Sequence, residues 1–222
     1  MEITLQVGKP RVAARAVAPL KSEQVPMMAS IFAAAFAHDP LLTFIEPNEQ
    51  KRAAVCPLLY GAVLRYCRHF GQVDSSIDGM AGAAWLPPNH CYPSLLRELR
   101  VGMGIFPFKF GLAAFNRLQE FDILAKKMRR KFAPEKHWYL WALAVDPSMQ
   151  GKGLSRTLIN RVIQQADRAG ESIYLETQNP HNVVIYERFG FRVVGIGNLR
   201  TAVTLHAMRR DPKGATQVSS AA

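Results

Sequence analysis

The residues of this chain best suited to chemistry lie in one short stretch, Gln150-Gly151-Lys152-Gly153-Leu154-Ser155. Two glycines one residue apart let a backbone turn tightly and approach a ligand without a Cβ in the way. The stretch runs into a segment in which Leu154, Leu158, Ile159, Val162, Ile163 and Ala166 share one helical face, closed at Gly170. A helix N-terminus offers unpaired N–H groups and the positive end of its dipole. With Lys152 and Ser155 adding donors, the stretch predicts a diphosphate site. The familiar nucleotide loops do not fit. A P-loop would need a glycine five residues before Gly151, and the dinucleotide fingerprint would need its third glycine where Arg156 stands.

The elements that must position this loop follow from the hydrophobic pattern. HWYLWALAV (137–145) is a near-continuous apolar run that suits a strand covered on both faces. SIYLETQ (172–178) reads as a second strand, so the intervening helix makes a parallel, right-handed crossover. Upstream, VAARAVAPL (12–20) opens like a strand, and VPMMASIFAAAFA is a helix that stops at His38-Asp39-Pro40. Residues 49–70 read as a helix in which Pro57 predicts a kink or a later start. Asp78-Gly79 separates two short β-like runs, the second being GAAWLPP. Residues 93–133 predict two helices broken around Gly104 and Pro107, an insertion suited to packing or to a substrate lid. HNVVIYERFG (181–190) is a short helix, and FRVVGIG and TAVTLHAMR are strands. The expectation is one α/β domain over residues 1–222, a mixed central sheet flanked by helices. It is ordered over about 10–210, with a flexible tail at 211–222.

Bulk properties narrow the function. Lys and Arg number 28 against 17 Asp and Glu, a net charge of +11, which implies attraction to polyanions such as a phosphorylated cofactor, nucleic acid or an acidic membrane face. Part of it lies in KKMRRK (126–131), which reads either as a solvated helix face or as a binding patch. Cys56, Cys67 and Cys91 form no CxxC pair, which points to a reducing compartment and a cytoplasmic location. The six histidines show no metal-ligand spacing, so no metal is expected. The first residues have no apolar core of a secretory signal, and their spaced Lys9, Arg11, Arg15 and Lys21 fit either a transit peptide or a ragged arm. No run approaches the ~18 apolar residues of a bilayer span, so no membrane is expected as a partner.

Together these features resemble the GNAT N-acetyltransferases. Gln150, Gly153 and Ser155 are similar to that family's [QR]xxGx[GA] loop, with Ser a mild departure at the last position. The loop follows the strand WYLWALAV and Asp146-Pro147, and precedes a strand ending Leu175-Glu176-Thr177. Asn182, Tyr186, Gly190 and Phe191 resemble the family's Asn…Tyr-x-x-x-Gly-Phe pattern. AAAFAHDP and GAAWLPP look like the puromycin N-acetyltransferase branch.

The resemblance implies transfer of an acetyl group from acetyl-CoA to a primary amine by direct attack. It implies that the amides of Gln150, Gly151, Lys152, Gly153, Leu154 and Ser155 hold the CoA pyrophosphate. It implies that backbone groups of Leu143, Ala144 and Val145 meet the pantetheine arm, although Leu143 and Val145 also read as plain core. Asn182 is either a pantetheine ligand or a helix N-cap. Tyr186 is either the acid that protonates the departing thiolate or a packed aromatic. Glu176 is either the base, directly or through water, or a salt-bridge partner of a nearby Arg. Asp39, Trp85 and Trp141 are candidates for the acceptor pocket, and each Trp also reads as core. The rival readings are acetylation of a protein lysine or N-terminus, a basic module associated with nucleic acid, and an acyl-CoA sensor without turnover.

Overall fold

The computed structural model describes residues 16–200 and 202–214. Residues 12–15 of the expected first strand and 215–222 of the expected tail lie outside the described residues. In chain order the elements begin with β1 (Val17–Pro19), α1 (Val25–Ala35), α2 (Pro40–Ile45), α3 (Glu49–Phe70), β2 (Gln72–Ser76) and β3 (Ala81–Leu86). There follow α4 (Leu95–Arg100), α5 (Phe106–Phe110), α6 (Leu112–Phe132), β4 (His137–Val145) and α7 (Leu154–Ala169). The chain ends in β5 (Ser172–Thr177), α8 (Pro180–Glu187), β6 (Arg192–Leu199) and β7 (Val203–Arg210).

The strands form one mixed sheet in the order β1-β2-β3-β4-β5-β7-β6, in which only β4 and β5 run parallel. Each face buries its own core. One contains Met28, Phe32, Tyr66, Ala84 and Tyr174 beneath α1, α3 and α6; the other contains Trp85, Leu158, Ile159, Ile173 and Leu175 against α7. The strict alternation of β5 is visible here, since Tyr174 faces one core while Ile173 and Leu175 face the other.

Local chemistry explains the boundaries. Asp39 caps α2 by accepting from the Leu41 amide at 2.9 Å, and Pro40 occupies the first helical position, so the His38-Asp39-Pro40 break ends one helix and starts another. Asn48 caps α3 by accepting from Lys51 at 2.9 Å, which makes the helix start at Glu49 rather than after Pro57. The carbonyl that loses its partner to Pro57 belongs to Ala53, which is exposed to solvent. The insertion contains three helices and a 3-10 turn (Met103–Ile105) instead of two helices. Left-handed Gly102 (φ 90°) ends α4, and Gly111 (φ 78°) separates α5 from α6. Pro107 lies in the first turn of α5 and so does not break it.

The feature that opens the sheet is a bulge on β4. Ala84 pairs with Ala142 and Trp85 with Leu140, which leaves Trp141 as the extra residue. A bulge bends its strand. Consistent with this, β4 pairs with β5 only as far as Tyr139 and Tyr174, although both strands continue.

Candidate active site

The split between β4 and β5 exposes backbone. The Asp146 amide donates to the Met80 carbonyl at 2.8 Å, so in this register Ala142 and Ala144 exchange bonds with β3. Leu143 and Val145 therefore turn their N–H and C=O groups toward the gap. The side chain of Gln150 reaches the Val145 carbonyl from that side, donating at 3.3 Å. Two cavities meet at the gap, and both are lined by Asp39, Leu143, Asn182 and Tyr186.

The first cavity, about 550 Å³, lies over the loop that leads into α7. Ala144, Val145, Gln150, Gly151, Gly153 and Ser155 line it. Gly151 and Gly153 are left-handed (φ 75° and 81°), and Gly153 is the N-cap residue of α7. No side chain caps this helix, so its first amides face a groove that an anion can occupy. Leu154 contributes backbone to that wall while its side chain is buried in the core beneath α7. Lys152 does not line the cavity: its ammonium donates to the Ser148 carbonyl at 3.1 Å and lies 3.3 Å from the Met149 sulfur. His38, His181 and Arg188 also line the groove, and none of them was named as a site residue from the sequence. The signal for Arg188 was its place in YERFG, two residues after Tyr186.

Asn179, not Asn182, caps α8, accepting from the His181 amide at 2.9 Å. The cap alternative for Asn182 thus falls, and its amide projects from the first turn into both cavities. Tyr186 lies one turn further along, 9% exposed, packed edge-on against Phe191 with ring centroids 5.8 Å apart. Burial pushes its phenol well above the usual tyrosine range, which keeps it protonated.

The second cavity, about 400 Å³, lies on the other side of the gap, between β4, β5, α2 and the insertion. Trp141, held edge-on to Tyr66 at 5.2 Å, is part of its wall, whereas Trp85 is not. Beyond the bulge, Trp85 shares the face of Ala83 and is fully buried against α7, opposite the cavity. Asp39 lines both cavities, and burial raises its carboxyl above the usual range against two backbone amides that lower it.

Glu176 lines the second cavity with its side chain only 2% exposed. The salt bridge weighed from sequence exists: Arg129 Nη2 donates to Glu176 Oε1 at 3.5 Å. Arg129 comes from the middle of KKMRRK, so that run is not one solvated face. Its guanidinium stacks 3.4 Å over the Tyr139 ring and donates to the Cys91 carbonyl at 2.7 Å. Burial raises the Glu176 carboxyl, while Arg129 first, and Tyr139 and Tyr174 after it, favour the ionised form. Among the described residues, Arg129 Nε has no hydrogen-bond partner, so the cluster retains an unused donor.

Comparison with known proteins finds similarity over part of the chain to one family and over most of it to several acetyltransferase structures. Residues 109–191 match the model of the Acetyltransferase (GNAT) family. An uncharacterized N-acetyltransferase of Schizosaccharomyces pombe is 26% identical over 198 residues, spanning 85% of this chain and 80% of its own. Among solved structures, a histone acetyltransferase HPA2 and related acetyltransferase of Corynebacterium glutamicum superposes with a TM-score of 0.64 at 24% identity, covering 88% of this chain and 95% of that one. Arylalkylamine N-acetyltransferase 2 of Aedes aegypti gives a TM-score of 0.59 at 16% identity, covering 88% and 98%. The two structures share the fold.

Proposed function

We infer that this chain, an acyltransferase with a GNAT acetyltransferase domain, moves an acetyl group from acetyl-CoA to a small primary amine by direct attack. The observation that carries the reading is the meeting of two cavities at one gap, with Tyr186 and Asn182 lining both. One cavity has the uncapped helix N-terminus and the loop amides that suit the CoA diphosphate, with Arg188 as a further cation. The other suits the amine.

The exposed amides of Leu143 and Val145 face the place where the thioester would lie, and a fixed N–H stabilises negative charge on its carbonyl oxygen during attack. The amine arrives largely as an ammonium ion, because its pKa is near ~10. Glu176 takes the proton, directly or through water. The nitrogen forms its bond to the carbonyl carbon, the C–S bond breaks, Tyr186 gives its proton to the departing thiolate, and the second proton leaving the nitrogen restores the Tyr186 phenol through solvent. A buried phenol is a weak acid, but a thiolate of pKa about 8.5 needs only a weak acid at close range.

Thermal unfolding with and without acetyl-CoA tests the binding half. At a ligand concentration near 100 Kd, stabilisation of about 2.7 kcal/mol corresponds to a rise on the order of 5–10 °C in a chain of this size. CoA release with a panel of amines then tests transfer. No rise at millimolar acetyl-CoA would remove the reading.

A further inference from the structure

The lining of the second cavity runs against the charge of the whole chain. Among the described residues no Lys, Arg or His lines that cavity, while Asp39, Glu98, Asp122 and Glu176 all do. Two of these carboxylates already have partners: Asp122 pairs with Lys126 at 2.6 Å and Glu176 with Arg129 at 3.5 Å. Asp39 has only backbone donors and lies where the two cavities meet. Most of the remaining wall is apolar and aromatic, including Phe36, Leu42, Phe106, Phe115, Phe121 and Trp141. Phe36 is fixed by stacking on Tyr60 at 5.1 Å.

We propose that the acceptor is a monoamine with an aryl or alkyl body and no carboxylate or phosphate, and that Asp39 is the residue that receives its ammonium group. The inference rests on the acetyl-transfer reading of the same site. A cation entering this cavity meets a carboxylate without a protein counter-ion, close to the gap where attack occurs. An anionic substituent would lose its water and find no positive charge along the wall. A second ammonium would have to settle among phenyl rings, or compete with Lys126 for Glu98 and Asp122. An apolar body fills the wall and releases water from it.

The test compares kcat/KM, read by CoA release, across 2-phenylethylamine, n-hexylamine, phenylalanine, spermidine and a short lysine peptide. Phenylalanine differs from 2-phenylethylamine only by its carboxylate, so the pair isolates the anion term. The two apolar amines should exceed phenylalanine by ~10²-fold or more, and spermidine by ~10-fold. Asp39→Asn should raise KM for 2-phenylethylamine ~10-fold and leave KM for acetyl-CoA unchanged. Asn also caps a helix, so this variant folds. Phenylalanine, spermidine or the peptide equalling the apolar amines would overturn the inference and leave acetyl transfer standing. An unchanged amine KM in Asp39→Asn would remove the assignment of Asp39. No CoA release with any amine, in protein that acetyl-CoA stabilises, would overturn the transfer reading and this inference with it.

Discussion

In the proposed reaction Tyr186 and Glu176 divide the proton work, and their surroundings suit opposite tasks. The Tyr186 phenol is buried with no charged neighbour favouring ionisation, so it holds its proton until a thiolate appears. Tyr186→Phe should lower kcat about 10²-fold while acetyl-CoA still raises the unfolding temperature as in the parent protein. Glu176 must be ionised to act, and burial works against that, so the acidic limb of kcat should lie above the ordinary carboxylate range. Arg129 opposes the burial. In Arg129→Met the limb should therefore move to higher pH, whereas Arg129→Lys, which keeps the charge, should move it less. Tyr92, Tyr139, Tyr174 and Asp122 also face this cluster, but none of them supplies a positive charge. A limb that stays in place in Arg129→Met would remove Arg129 from this role. Asp39 gives a stability prediction of the opposite kind. Its folded pKa is raised, so the stability it contributes is present at acid pH and lost as pH rises through that value. Asp39→Asn should unfold at a higher temperature than the parent at pH 7.5, with the advantage vanishing near pH 4. The motif made Tyr186 and Asn182 readable in the sequence. Arg129 was hidden, because one cation within KKMRRK looks like its neighbours until the helix is docked.

At the scale of elements, the site depends on two irregularities and one docked helix. The bulge at Trp141 opens β4 from β5, and the left-handed Gly151 and Gly153 bring backbone to the groove. Helix α6 then delivers Arg129 from across the sheet, and it can approach because β6 carries glycines beneath it. A Cβ at Gly195 would run into the Phe132 ring, and one at Gly197 into the Met128 sulfur. Gly197→Val should cost about 1–3 kcal/mol and displace α6. Circular dichroism and unfolding would register the stability loss, and kcat should fall with the withdrawal of Arg129 while acetyl-CoA still binds. A fully active Gly197→Val would show that the insertion does not set the base. The strand–helix–strand unit was legible because apolar runs and amphipathic spacing are local. The division of 93–133 was not, because Gly102 and Gly111, rather than Gly104 and Pro107, adopt the conformations that end helices.

At the scale of the whole molecule, the charge distribution separates the two proposed substrates. A net charge of +11 attracts the phosphates of CoA from a distance and repels an ammonium ion, while the carboxylates of the inner cavity act only at short range. Raising ionic strength from 20 to about 300 mM should lower kcat/KM for acetyl-CoA and leave that for the amine unchanged or raised. Parallel falls for both would mean that the overall field plays no part. Among the described residues no helix is long and apolar enough to cross a membrane.

The geometry of the groove was written into the chain. Gln150 to Ser155 form a turn and a helix start whose conformation depends on glycines and neighbours a few residues away, and such features survive in any fold that allows them. The inner cavity was not written locally. It is assembled from α2, the insertion, β4 and β5, and its sign is opposite to that of the chain, because most of the positive residues point elsewhere and Lys126 and Arg129 are taken up in ion pairs. Trp85 shows the same limit. From sequence it stood beside Trp141 as a possible wall, but the two-residue period of β3 turns it to the opposite face, while the bulge on β4 turns Trp141 to the cavity side. Which face a side chain takes, and which distant charge meets it, are properties of packing between segments far apart in the chain.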